Sequence, residues 1–302
     1  MKESDYPALY RSSDACSLKA QKGHLWLQKI YLSSLIIGSI VSASISLAGP
    51  DNIRLVYGGV AVILFLGLIL LWVSRAQRYD RDWFDCRAVA ESVKTAAWRY
   101  MMKAPSFQDD ASVDAKFISE LQEIRKARPG VLRAIAGVSD PVASEITDAM
   151  RRVRALSLKE RKEIYLSERL LDQKKWYSEK GKAHSLSSTK WFWAVSILQI
   201  LAVSIAIVQT ATAGFGVNIV PIVTTCAAVA VAWTQTKRYD EQAQAYALAA
   251  NELGALESVA GNLITEEEFV QLVEQTEEAI SREHTMWCAK RDVSLLSASR
   301  SR

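Results

Sequence analysis

Apolar residues are concentrated in four long runs of this 302-residue chain, and polar and charged residues fill the segments between them. The runs cover residues 30–48, 55–74, 191–213 and 215–234. Each is close to the ~20 residues with which a helix crosses about 30 Å of hydrocarbon. None of the runs contains Asp, Glu, Lys, Arg or His. The pattern therefore predicts four transmembrane helices.

The runs form two pairs, and landmarks around each pair repeat with a constant offset of 160 positions. The landmarks are Lys22, His24 and Arg78-Tyr79-Asp80 in the first copy, and Lys182, His184 and Arg238-Tyr239-Asp240 in the second. This register indicates a duplicated unit of two spans. We therefore predict an all-α membrane protein with four transmembrane helices, arranged as two duplicated helical hairpins with long cytoplasmic helical extensions.

Lysine and arginine residues lie almost entirely on one side of the predicted spans. They flank the starts of spans one and three and the ends of spans two and four. The opposite side has only the turns at residues 49–54 and at Gly214, with Arg54 as its single basic residue. Because basic loops stay in the cytoplasm, we expect both termini and the central segment there.

The second run is predicted to continue into the cytoplasm as one helix, which we call the first stalk. Its apolar residues recur at alternating steps of four and three. They are Tyr79, Trp83, Cys86, Ala90, Val93, Ala97 and Tyr100. This seam is typical of a helix that packs along a partner. The second stalk repeats the seam from Tyr239 until Glu257 interrupts it, and we expect that stalk to end or diverge there.

Capping boxes predict two further cytoplasmic helices, which begin at Ser157-x-x-Glu160 and Thr265-x-x-Glu268. A helix with a Phe117, Leu121 and Ile124 stripe is predicted in the first copy. We place the first two-span module at residues 1–128, a linker at 129–156 and the second module at 157–293. Residues 294–302 are rich in Ser and Arg and are predicted to be a disordered tail.

Composition and motifs argue against an enzyme. The net charge of +4 is too small to indicate nucleic-acid binding. The four cysteines lack metal-ligand spacing and fit a reducing cytoplasm. No P-loop, dinucleotide-binding or metalloprotease motif occurs. Asp82 and Asp85 share a helix face, but pairing with Arg78 and Arg81 is the favoured interpretation over a metal site. We expect no catalytic residue, no cofactor and no metal.

Small and weakly polar residues replace charged ones inside the spans. Ser34, Gly38, Ser42 and Ser46 recur every four residues in span one, and Gln199 of span three aligns with Ser39. Small faces of this kind let helices approach closely in lipid. Two interpretations stay open. These six residues pack the spans against each other, or Ser39, Ser42, Ser46 and Gln199 line a weakly polar pore in an oligomer.

The Arg-Tyr-Asp triplets also have two interpretations. Tyr favours the headgroup region and Arg reaches lipid phosphates, which would make the triplets simple interfacial anchors. Because both copies keep the triplet where span meets stalk, a role in coupling the two is the alternative. The residues concerned are Arg78, Tyr79, Asp80, Trp83, Arg238, Tyr239 and Asp240.

The pattern of aromatic and charged residues in both halves resembles the SLATT superfamily of bacterial two-span effector modules. The first half carries Arg78-Tyr79-Asp80, Trp83, Arg87, Glu91, Trp98-Arg99-Tyr100 and Pro105-Ser106-Phe107. The second carries Arg238-Tyr239-Asp240, Ala250-Asn251-Glu252-Leu253 and the ending Ile280-Ser281-Arg282-Glu283-His284-Thr285-x-Trp287. The resemblance implies two tandem modules, a role in bacterial conflict or antiviral defence, and assembly in the inner membrane.

The leading hypothesis is therefore an effector that oligomerises and forms a pore, or disrupts the membrane, when triggered through its cytoplasmic helices. The expected partners are the lipid bilayer, further copies of the chain, and a separate sensor or synthase of nucleotide second messengers, because no such domain is recognisable here. No nucleic-acid partner is expected. The alternative is a membrane-anchored helical binding or scaffold protein without pore activity.

Overall fold

The computed structural model of the chain describes residues 1–137, 143–211, 217–261 and 263–282. Every regular element in these ranges is helical, as predicted. The helices are α1 (Ala8–Ala43), α2 (Ile53–Gln77), α3 (Tyr79–Met101), α4 (Val113–Ala127), α5 (Gly130–Ile135), α6 (Asp148–Ala155), α7 (Leu158–Tyr165), α8 (Asp172–Ala211), α9 (Val220–Lys237), α10 (Tyr239–Ala260) and α11 (residues 266–282). A π-helix, Leu166–Leu171, joins α7 to α8 without a break.

The chain divides into two compact units, and each unit contains parts of both sequence halves. The span unit comprises Lys22–Tyr79 and Lys182–Ala243. The core unit comprises Met1–Gln21, Asp80–Gly181 and the described residues from Gln244 onward. The duplication visible in the sequence therefore does not produce two separate globular bodies.

Three helical stretches are long and apolar enough to cross a membrane: Ala8–Leu47, Ile53–Met101 and Leu158–Ala211. The first stretch contains the first predicted span as far as Leu47, and the second contains the whole second predicted span, which ends at Ser74. The third stretch contains the third predicted span as far as Ala211. Helix α9 carries the described part of the fourth predicted span, and residues 212–216, between α8 and that part, lie outside the described residues. Large apolar side chains of these helices are uncovered by protein, with Leu55 76% and Trp72 73% exposed. Such surface is stable in lipid and not in water, so this is a membrane protein.

Glycines bring α1 and α2 together in the span unit. A Cβ added at Gly38 would lie 3.4 Å from Ile63 Cγ2, and one added at Gly67 would lie 3.7 Å from Ser34 Oγ. The later residue of α1, Gly38, contacts the earlier residue of α2, Ile63, and Ser34 contacts Gly67, so the two helices run in opposite directions. Close approach at small residues is the expected way for helices to associate in lipid, because hydrophobic burial contributes nothing there.

Helix α3 is the central helix of the core unit. Its predicted seam is buried from Cys86 to Tyr100. Burial extends beyond that seam, since Val89, Trp98 and Met101 are buried as well. Helix α3 is therefore surrounded by other helices, which a single a/d stripe did not predict.

The capping boxes form as predicted. The Ser157 hydroxyl accepts from the Glu160 amide, and the Glu160 carboxylate accepts from the Ser157 amide. The reciprocal bonds between Thr265 and Glu268 measure 3.0 and 3.2 Å. These bonds satisfy amide groups that the first helical turn leaves without partners, so both helices begin where the sequence indicates.

The predicted stripe of α4 is buried, since Phe117 and Leu121 lie in the hydrophobic core, and Phe269 and Val273 of α11 lie in the same core. The segment predicted to be a linker, residues 129–156, contains α5 and α6, and Met150 of α6 is fully buried. The predicted tail, residues 294–302, lies outside the described residues. The domain boundaries rest on sequence alone and stay a prediction.

Candidate span–stalk junctions and buried polar core

The stalks are separate helices, and the prediction of one continuous helix from span two into the first stalk was wrong. Helix α2 ends at Gln77 and α3 begins at Tyr79, with Arg78 between them at φ 51°. Helix α9 ends in the same way, with Arg238 at φ 47° before α10. The left-handed conformation is unfavourable for a side chain with a Cβ, and Gly usually occupies it. Arginine holds it at the same repeat position in both copies.

A tyrosine follows each left-handed arginine and contacts the helix that opens its own pair. The Tyr79 ring lies 3.1–3.2 Å from the position that a Cβ atom on Gly23 would occupy. The ring can pack this closely because Gly23 has no side chain. The Tyr239 ring centroid lies 5.7 Å from that of His184. Gly23 is adjacent to His24, the counterpart of His184. In both copies, the tyrosine after the left-handed arginine thus meets neighbouring repeat positions of the helix that opens the pair.

The other residues of the predicted coupling set lie next to these junctions in the chain. Asp80 and Asp240 are exposed, and Arg238 pairs with Glu241 at 3.6 Å. Trp83 is half-buried with its ring 5.0 Å from that of Phe84. The structure therefore groups arginine and tyrosine as the local determinants of each junction, and the coupling role of all seven residues stays a prediction.

The six small or polar residues of the spans fall into two environments. Ser34 and Gly38 lie against α2, as described above. Ser42, Ser46 and Gln199 are exposed, and Ser39 is half-buried. The hydroxyls of Ser34, Ser39 and Ser46 donate to main-chain carbonyls three residues earlier, at 2.7, 3.1 and 3.0 Å. Ser42 and Gln199 are thus on faces that the chain itself leaves open.

A fully buried ion pair and its hydrogen-bond partners join α3, α7, the π-helix and α11 in the core unit, and no sequence motif indicated them. Arg169 of the π-helix and Glu277 of α11 are both 0% exposed. The Arg169 Nε and Nη2 groups donate to the two Glu277 oxygens at 2.8 and 2.6 Å. The Thr95 hydroxyl of α3 and the Tyr165 hydroxyl donate to the same carboxylate at 2.8 and 3.1 Å.

The electrostatics of this cluster follow from its burial. Burial lowers the pKa of Arg169, but the adjacent Glu277 carboxylate outweighs that effect and raises it. Burial, followed by the Glu277 charge, raises the pKa of Tyr165. A π-helix is typically found where function or packing favours it over the α-helix, and here it carries Arg169 and Leu170 into the core.

Two more buried arginines connect segments of the core unit. Arg161 donates to the Met102 carbonyl at 3.0 Å and to both oxygens of Glu266 at 2.7 and 2.8 Å. Arg154 donates to the carbonyls of Tyr100 and Phe107, each at 2.7 Å. Buried carbonyls need such partners, so these arginines specify how the segments that follow α3 fold back on it.

The aspartates and cysteines that were considered as metal ligands have other contacts in the structure. Asp85 accepts from Arg128 at 3.2 Å, although Arg78 and Arg81 were the favoured partners. Cys16 and Cys86, far apart in sequence, are buried in one hydrophobic cluster, and their interaction lowers the pKa of Cys16. Within the described ranges, no three His, Cys, Asp or Glu side chains group as metal ligands would. Cys288 and His284 lie outside those ranges.

The seam of the second stalk is interrupted for an electrostatic reason. Glu257 forms an ion pair with Lys174 of α8, and α10 continues past it to Ala260. The sequence predicted that the stalk would end or diverge at Glu257; its helix continues past that residue and ends at Ala260. Leu253 and Ala260 on either side are buried, so the helix keeps its packed face and adds a charge pair to it.

Comparison with known families accounts for nearly the whole chain. Residues 7–162 match the SMODS and SLOG-associating 2TM effector domain 3, and residues 165–287 match the SMODS and SLOG-associating 2TM effector domain 1. No curated protein and no solved structure matches the chain. The two matches meet within α7, and each contains one of the duplicated span pairs. The chain therefore belongs to the SMODS and SLOG-associating 2TM effectors, membrane-associated effectors of conflict systems, and carries two such domains in tandem.

Proposed function

We propose that this protein is a bacterial inner-membrane effector whose four spans form two hairpins with both termini in the cytoplasm. The third and fourth spans are α8 and the helix that contains α9. The basic residues that flank the spans on one side support this orientation. The antiparallel contacts between α1 and α2 support the first hairpin.

The active form in this proposal is an oligomer that opens a pore or disrupts the bilayer. Its lining comes from the span faces that are weakly polar and uncovered within one chain. Ser42 and Gln199 lie on such faces, whereas Ser34 and Gly38 are already engaged by α2. In lipid, polar side chains on an open face favour association with a second copy. The spans lack the ionisable groups of proton-coupled transporters.

The observation that carries the proposal is the pair of left-handed arginines at matching positions. Backbone strain of about 1–3 kcal/mol per residue persists only where the surroundings impose it, and it clusters at switch regions. Each strained arginine stands where the chain passes from a span to a stalk. In the proposed mechanism a rearrangement of the core unit releases this conformation in both copies and turns the spans.

The proposed trigger is a separate protein that senses or makes a nucleotide second messenger. The core unit would receive it, because this unit joins both halves where Glu277 accepts from Thr95 of the first half and from Arg169 of the second. The proposal assigns the protein no catalytic step, no cofactor and no nucleic-acid ligand. Its defence role, including defence against viruses, would then be the arrest or death of the infected cell.

The test is inducible expression of the full chain, with the neighbouring sensor activated, followed by a membrane-potential dye and plating counts. Loss of potential and of viability supports the proposal. Ser42→Leu and Gln199→Leu should restore both, because they place apolar bulk on the proposed lining. The matched control is Ile200→Phe, which adds bulk at an exposed apolar position beside Gln199.

The scaffold alternative makes the opposite prediction. If the spans only anchor the core unit, Ser42→Leu and Gln199→Leu will behave as wild type, while changes at Trp83 will abolish the phenotype. An unchanged potential and unchanged growth in the activated wild type would refute the effector mechanism itself.

A further inference from the structure

Two lysines from different halves of the chain converge on one tryptophan in the span unit. The Lys29 Nζ atom of α1 lies 5.8 Å from the centroid of the Trp233 ring in α9. The Lys237 Nζ atom, one turn beyond Trp233, lies 5.6 Å from the same ring. Ammonium groups at these distances are attracted to the ring face. The ring therefore holds two positive charges near each other.

These charges lack compensation. Neither Lys29 nor Lys237 forms an ion pair within the part of the chain that the structure describes. Burial and the neighbouring Lys29 ammonium lower the pKa of Lys237, which lies beyond the predicted end of span four. A bound anion would remove the repulsion and satisfy both groups.

The position of the cluster indicates which anion. Trp is enriched at the membrane–water interface, and basic residues at the cytoplasmic ends of spans attract anionic lipids. Trp233 and Lys237 lie in the last turns of α9, and Lys29 immediately precedes the first apolar run. We propose that Lys29, Trp233 and Lys237 form a binding site for the phosphate headgroup of an anionic phospholipid, which bridges the two halves of the span unit.

The site belongs to this particular combination of halves. The residues that correspond to Trp233 and Lys237 in the first copy are Val73 and Gln77, and Thr189 corresponds to Lys29. The repeat therefore provides one such site and not two. This inference rests on the membrane placement in the proposed function, but not on pore formation.

The experiment uses the purified full chain in detergent micelles, titrated with phosphatidylglycerol and examined by native mass spectrometry. One tightly bound lipid per chain is expected. A lysine near an anionic lipid contributes about a fivefold change in binding, so Lys29→Gln/Lys237→Gln should weaken this lipid by roughly thirtyfold. Lys29→Arg/Lys237→Arg, which keeps both charges, should bind as wild type does.

The matched control is Lys182→Gln/Lys190→Gln, which removes two exposed lysines before span three, on the same predicted membrane face. It should bind phosphatidylglycerol as wild type does. Equal weakening in the control and test variants would overturn the proposal, as would equal binding of phosphatidylcholine or displacement by an equal concentration of glycerol phosphate. Unchanged melting of every variant in neutral detergent establishes that each is folded. Because binding is read on purified protein, its failure is distinct from a failure of the cellular pore assay.

Discussion

Removal of the Glu277 carboxylate should destabilise the core unit more than any change at an exposed ion pair. Glu277→Ala leaves the Arg169 guanidinium buried without its counter-ion and deprives the Thr95 and Tyr165 hydroxyls of their acceptor. Breaking a buried pair from one side costs about 3–5 kcal/mol. At roughly 2–4 °C per kcal/mol for a unit of this size, the apparent melting midpoint should fall by about 6–20 °C.

The assay is thermal unfolding of the full chain in detergent, followed by far-UV circular dichroism at one fixed scan rate. The control is Glu123→Ala, which removes one partner of an exposed ion pair. In that pair the Lys126 Nζ atom lies 2.6 Å from a Glu123 carboxylate oxygen. Exposed pairs contribute little, so this midpoint should barely move. The double variant Arg169→Met/Glu277→Leu replaces both charges with apolar groups and should recover most of the loss. A Glu277→Ala midpoint no lower than that of Glu123→Ala would refute the reasoning.

Three further outcomes are expected from the described contacts. Gly67→Leu should lower the melting midpoint because its side chain meets α1, whereas Gly58→Leu should not, since nothing lies within 4 Å of a Cβ there. Arg78→Gly should leave the midpoint unchanged or raise it, because glycine relieves about 1–2 kcal/mol of left-handed strain, whereas Arg78→Val should lower it; equal effects would contradict the observed φ. A hydrogen bond donated by Tyr100 lowers the pKa of the Asp114 carboxyl in the folded protein. The charged carboxylate therefore stabilises the fold at pH values above its unfolded pKa of about 3.9. This stabilisation is lost as the pH falls through the lower pKa that the group has in the folded protein. The advantage of wild type over Asp114→Asn in melting midpoint should therefore shrink between about pH 6 and pH 3, and a constant difference would contradict it.

Local patterns in the sequence predicted the helical elements well. The apolar runs correspond to long uncovered helices, the capping boxes begin α7 and α11, and the stripe of α4 is buried. Each of these features depends on residues within a few positions of one another, because a helix start or a span is stabilised by its own neighbours and its solvent. The same local character let the family resemblance be recognised from short motifs.

The candidate site was only partly predictable. The sequence located the Arg-Tyr-Asp triplets but indicated a continuous helix where Arg78 and Arg238 break it. The left-handed conformation has no local signal here, since Gly or Asn would be its usual residue. The lysine pair at Trp233 required α1 and α9 to be neighbours.

By itself, the sequence determined the helical class, the apolar spans, the duplication and the family. Only the tertiary structure decided that both halves share one core, in which Glu277 accepts from Thr95, 182 positions earlier, as well as from Arg169. The physical reason is that a charged side chain is stable in a core only when its partner is buried beside it. That partner is selected by packing in three dimensions, and no periodicity along the chain records it.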